Sequence, residues 1–217
     1  HHSLDVVHWI FDIKGPKAVF STGGRRFLKD NGEVPDVQDA IIEYPNFTAV
    51  VQFRECAAGG GTSSMGALTF FGTKGTMTLG RDGFEIIPDK RSEPVNVFAK
   101  IIGGHPVGGP QPVDEPPDRL WCEKLEDKTG DWKAQYVAHA KNFIECVKSR
   151  ATPSSDLVSS HHVSTTCHLA NISLRLGRNV RWDAAREEII DDPEASRWLV
   201  RPYRTPWDKE LKALGVG

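Results

Sequence analysis

Along Ser154–Asp183 the apolar positions follow a helical period up to Gly177, and the segment reads as one long helix and then a strand. Pro153 breaks any helix before it. Ser155 or Asp156 offers a short side-chain oxygen to the free amides of the first turn, and Gly177 suits the left-handed conformation of a C-terminal cap. Arg175 and Arg178 lie at the negative end of the helix dipole. On a helical wheel Val158, Leu169 and Leu176 form one apolar strip, and Val163, Cys167, Ala170 and Leu174 a second. A polar stripe of His161, Ser164, His168 and Arg175 runs between them, so the helix is expected to be largely buried. Two readings of His161 and His168 stay open: satisfied core histidines, or the lining of a polar ligand cleft.

The rest of the chain supplies strands and a second long helix. Leu4–Ile13 predicts a short, mostly buried helix closed by Gly15-Pro16, and Lys17–Thr22 a strand. A polar loop covers Arg25–Asp36. Pro45-Asn46 splits a β-branched, aromatic run into a hairpin of Ala40–Tyr44 and Phe47–Arg54. Residues 68–88 carry three short strands joined by the turns GTKG and GRDG, an antiparallel meander. Hairpin and meander together predict one sheet of about six strands. Asp89–Thr129 is rich in proline and glycine and irregular, either a surface wrap or a segment with a function of its own. Gly130-Asp131 opens an amphipathic helix with Trp132, Tyr136, His139, Phe143 and Val147 on its apolar face, which places His139 in the core. Pro193 starts a last helix, and RPYRTPW leaves as an extended tail with Trp207 as a surface anchor. Strands followed by long helices argue an α+β fold: an open, mainly antiparallel β-sheet with helices packed on one face.

Composition narrows the function classes. The chain has 217 residues, enough for a full core, with 39% hydrophobic and 26% charged residues. A net charge of -2 gives no electrostatic footprint for nucleic acid or an anionic membrane, and no apolar run reaches the length of a membrane span. Cys56, Cys122, Cys146 and Cys167 are scattered, which fits a reducing cytoplasm; an exported form with a lost leader stays open. His161 and His168 are two turns apart, too far to share one ion, and His161 and His162 diverge around the helix, so no metal site is expected. The loop at Gly59–Gly61 matches neither GxGxxG nor GxxxxGK[ST]. His1 and His2 followed at once by SLDVVHWIF suggest a chain that begins inside a structural element, a fragment of something longer; the alternative for His2 is a remnant of a purification tag.

Several segments, taken in order, carry a likeness to a known family: HSLDVVHW, PDVQDAIIEYP, GTKGTMTLGRDGFEIIP, HAKNFIECVKSRATPSSDL, HVSTTCHLANISLRLGRNVRWD and DDPEASRWLVRPYRTPW. Together they resemble the C-terminal domain of the Gfo/Idh/MocA oxidoreductases, NAD(P)-dependent dehydrogenases of sugars, inositols and related polyols. The resemblance implies a dihydrodipicolinate-reductase-like α+β domain, here residues 1–217, serving substrate binding and oligomerisation. It also implies a preceding Rossmann domain that holds NAD or NADP with a glycine-rich loop and supplies a lysine of an EKP-type motif; neither motif occurs in this sequence. The family's central motif ends in a histidine three positions before an aspartate, which His2 and Asp5 match.

Oxidising a secondary alcohol needs a base for the hydroxyl proton, and histidine suits that role near neutrality. The resemblance therefore makes His2 the general acid/base, with Asp5 orienting it or, alternatively, capping the helix. His161 and His168 become substrate-side candidates. It further implies a homo-oligomer assembled through the open sheet face, and a domain inactive by itself. The alternative function is an oligomerisation or interaction module without catalytic activity of its own.

Overall fold

The computed structural model describes residues 1–55, 68–89, 101–102, 105–106 and 122–215. The chain divides into two compact units, one from residues 1–60 and 152–217, the other from residues 61–151.

The first unit is built on a five-stranded antiparallel sheet. Its strands are β1 (Ala18–Gly24), β2 (Val37–Glu43) and β3 (Thr48–Arg54), joined later in the chain by β10 (Val180–Asp183) and β11 (Glu188–Ile189). Their order is β11-β10-β1-β2-β3. The register Val19↔Ile42↔Ala49, with Val19↔Val180 on the other side, sets one row of small and β-branched side chains on the inner face. Val19, Ile42 and Val180 are buried there with Trp182 and Ile189. The helices α1 (His2–Phe11) and α3 (Leu157–Leu176) pair with each other, and α3 lies along β1.

Helix α3 forms where its sequence directs. Asp156 caps it by accepting from the Val158 and Ser159 amides, and Gly177 ends it at φ 65°. It buries only one side, however: Val163, Thr166, Leu169, Ala170, Ile172 and Ser173. The buried polar members are bonded. Ser173 Oγ accepts the Ser21 amide of β1 at 2.8 Å and donates to the Arg178 carbonyl at 2.7 Å, tying helix, strand and cap together.

The loop between β1 and β2 is organised by Asp36, which is 1% exposed. Its Oδ1 accepts the Arg26 amide at 2.7 Å, and its Oδ2 accepts the Phe27 and Leu28 amides at 2.8 and 2.7 Å. Burial pushes this carboxyl up, but the Leu28, Arg26 and Phe27 amides outweigh it and hold the group at about 2.

The second unit holds a four-stranded sheet, β4 (Leu68–Phe71), β5 (Gly75–Gly80), β6 (Gly83–Pro88) and β9 (Leu125–Asp127), in the order β4-β5-β6-β9. Gly83, at φ 135°, leaves no room for a side chain, since a Cβ would fall 1.7 Å from the Asp127 carbonyl oxygen of β9. The short β7 (Ile101–Ile102) and β8 (His105–Pro106) pair with each other. Helix α2 (Trp132–Ser149) starts at Asp131, whose carboxylate accepts the Lys133 amide.

Three expectations change. The meander does not extend the hairpin's sheet; it pairs with β9, while β1, β10 and β11 complete the other sheet. Alternation marks strands but does not choose their partners. The apolar face of α2 is not core: Tyr136, Phe143 and Val147 are exposed, as is His139. Helical periodicity shows which residues share a face, not whether anything covers it. Pro193 does begin a helix, α4 (Pro193–Ser196), but a further helix, α5 (Trp207–Ala213), follows where an extended tail was expected. Cys56, Gly59–Gly61 and most of Asp89–Thr129 lie outside the described residues.

Candidate functional site

Helix α1 carries the first two candidates. Leu4, Val7 and His8, spaced at one helical stripe, are buried, and this leaves His2 and Asp5 exposed on the first turn. No side chain caps the helix, so Asp5 is not an N-cap; it stands in the first turn, where a negative charge favours the dipole. Past the helix, Asp12 adopts φ 47° as the C-cap, and the Phe11 ring lies 4.4 Å from that of Phe47.

On α3 the expected polar stripe turns outward. His161 and His168 are both exposed, which removes the core reading for them. His161 Nε2 lies 3.2 Å from Glu187 Oε2, and His162 Nε2 3.7 Å from the other carboxylate oxygen. Arg175 places its guanidinium 5.5 Å over the Trp198 ring, a cation–π contact at the far end of the stripe. Among the described residues no hydrogen bond or ion pair links His2 or Asp5 to His161 or His168.

What the structure does assemble is a cluster that the stripe did not show. His8 Nε2 and the Tyr44 hydroxyl share a hydrogen bond of 3.0 Å, and Thr166 Oγ1 lies 3.4 Å from the same nitrogen. The two rings meet edge to face with centroids 5.6 Å apart. Burial lowers the His8 pKa; the neighbouring His162 acts in the same direction and Asp5 against it. Burial likewise raises the Tyr44 phenol above its ordinary range. The available signal was the position of His8, one turn after Leu4 on the apolar face of a short helix. Tyr44 looked like an ordinary hairpin residue. An open groove lined by Arg201, Pro202, Tyr203, Arg204, Trp207 and Leu211 contains none of the expected site residues.

Comparison with known proteins finds a partial family match and neighbours of similar fold. Residues 124–209 match the family model described as "Oxidoreductase family, C-terminal alpha/beta domain", of the Gfo/Idh/MocA group. This stretch is similar to the C-terminal domain of the Gfo/Idh/MocA oxidoreductases. Solved structures are similar in fold over most of the chain. A proposed oxidoreductase from Klebsiella pneumoniae is similar at TM-score 0.52 and 14% identity, over 91% of this chain and 50% of that one. An oxidoreductase from Agrobacterium radiobacter, solved with NAD+, L-tartaric acid and magnesium, is similar at TM-score 0.52 and 16% identity, over 83% of this chain and 46% of that one. A third, a proposed oxidoreductase from Thermotoga maritima, gives TM-score 0.51 at 13% identity, with 83% and 44% covered. The chain thus spans about half the length of the solved proteins it matches. No curated protein sequence matches it. Among the described residues no helix is long and apolar enough to cross a membrane.

Proposed function

We propose that this chain is the C-terminal, substrate-side domain of an NAD(P)-dependent dehydrogenase acting on a sugar, inositol or related polyol. The observation that carries the reading is the exposed His2–Asp5 pair on the first turn of α1, a helix docked on the family-matched α3. In this reading His2 takes the hydroxyl proton of the substrate and Asp5 orients it. His161 and His168, on the outward face of α3, offer hydrogen bonds to further hydroxyls. No glycine-rich phosphate loop occurs in the sequence, so these residues do not fit a nucleotide, and we assign NAD or NADP to a Rossmann domain outside residues 1–217. The domain alone is then inactive. We place the enzyme in the cytoplasm, in keeping with the free thiols of Cys122, Cys146 and Cys167.

The test uses the full-length gene product with NAD+ or NADP+ and a panel of myo-inositol, glucose and L-tartrate, followed by nicotinamide absorbance. Turnover of one of them, lowered about 10²–10⁴-fold by His2→Ala, is expected. Turnover that survives His2→Ala at the wild-type rate removes the assignment.

A second role is supported by the outer face of the five-stranded sheet. The registers Phe20↔Ile41 and Ile41↔Val50 align three exposed apolar side chains across β1, β2 and β3. Such a row suits self-association through this face. Light scattering should show an oligomer that Ile41→Lys dissociates; a wild-type protein that stays monomeric at micromolar concentration refutes this role.

A further inference from the structure

A buried polar cluster sits in the seam between α1 and α3. His8 is 4% exposed, Tyr44 2% and Thr166 0%. Burying an imidazole is costly unless its nitrogens are bonded, and only one of them is: Nε2 meets the Tyr44 hydroxyl, while Nδ1 has no hydrogen-bond partner. The Thr166 proton is already used, donated to the His162 carbonyl at 3.0 Å. His8 follows Asp5 by one helical turn and His2 by nearly two, so the seam that holds His8 also fixes where the first turn of α1 stands.

The charged and titratable groups around it favour a neutral ring. Asp5, on the same helix, and the Ile13 backbone favour a cation, but burial outweighs both. From α3 comes His162, which faces Glu187 together with His161 and disfavours one. Tyr44, with Cys167 nearby, comes from the β2–β3 turn and is itself held neutral by burial. A second proton would place a cation in a buried seam, facing His162. Its pKa is held below the ordinary 6.5, so the undocked helix takes up a proton first as pH falls through that value, and docking weakens toward acid.

We propose that His8 is a positioning residue for His2 and Asp5: neutral and bonded to the Tyr44 hydroxyl it locks α1 on α3, and protonated it releases the helix. The functional meaning rests on the catalytic reading of His2; the docking does not.

Hydrogen exchange on the 217-residue chain reads the lock directly. After correction for intrinsic rates, opening of α1 relative to α3 is expected to rise about tenfold between about pH 7.5 and pH 5. His8→Gln should abolish that dependence. Tyr44→Phe, which removes one oxygen and keeps the packing, should raise α1 opening about fivefold at pH 7.5. In the full-length enzyme Tyr44→Phe should lower kcat about fivefold with KM within about twofold.

Parallel loss of protection in α1 and α3 on acidification overturns the proposal, as does a pH dependence that persists in His8→Gln. Should His8→Gln fail to fold, unchanged α1 exchange in Tyr44→Phe overturns it equally. If turnover survives His2→Ala while the exchange results hold, the catalytic reading falls and the lock stands.

Discussion

Leu169 and Val158 belong to one apolar strip of α3 in the sequence, yet Leu169 is 0% exposed and Val158 65%. This contrast gives a sharp test of how the helix lies on its sheet. Leu169→Ala removes three carbons from the cluster that contains Val19, Ile42, Val163 and Val180. At about 0.8 kcal/mol per buried methylene the transfer loss alone is about 2.4 kcal/mol. The cavity left between a rigid sheet and its helix raises the total to about 3–4 kcal/mol. In a chain of this size that lowers the melting point by about 10 °C. Val158→Ala loses little burial and gains helix propensity, so its cost stays below about 0.5 kcal/mol. Thermal unfolding by circular dichroism, with urea titration as a second measure, compares the two. Equal midpoints for both variants would refute the assignment of α3 to one buried face.

Two further outcomes are expected. Asp36→Asn should destabilise the chain at neutral pH and flatten its acid unfolding. The native carboxylate is held at about 2 against an ordinary 3.8, so its contribution is complete above about pH 4 and is lost as the pH falls toward 2; an acid titration identical to wild type would contradict this. Gly177→Ala places a side chain in open space but at φ 65°, so the backbone alone sets the cost, about 1 kcal/mol by urea unfolding; a neutral result would show that the cap is not left-handed in solution.

The α+β class, the helix caps at Asp131, Asp156 and Gly177, the hairpin and the meander were all legible in the chain, because capping, turn chemistry and apolar period act over a few residues. The candidate site was legible only in part. The spacing of His2 and Asp5 marks a pair on one helical turn, but nothing local shows that His8, Tyr44 and Thr166 meet in a buried seam, since they lie far apart in sequence. The expected burial of the stripe of His161 and His168 failed for the same reason. A helix with two apolar strips can bury either or both, and that choice belongs to the sheet it meets. Local chemistry therefore determined which elements form and where they stop. Strand partners, the exposed side of α3 and the burial of His8 were decided by the tertiary structure, because packing joins surfaces that the order of residues does not bring together.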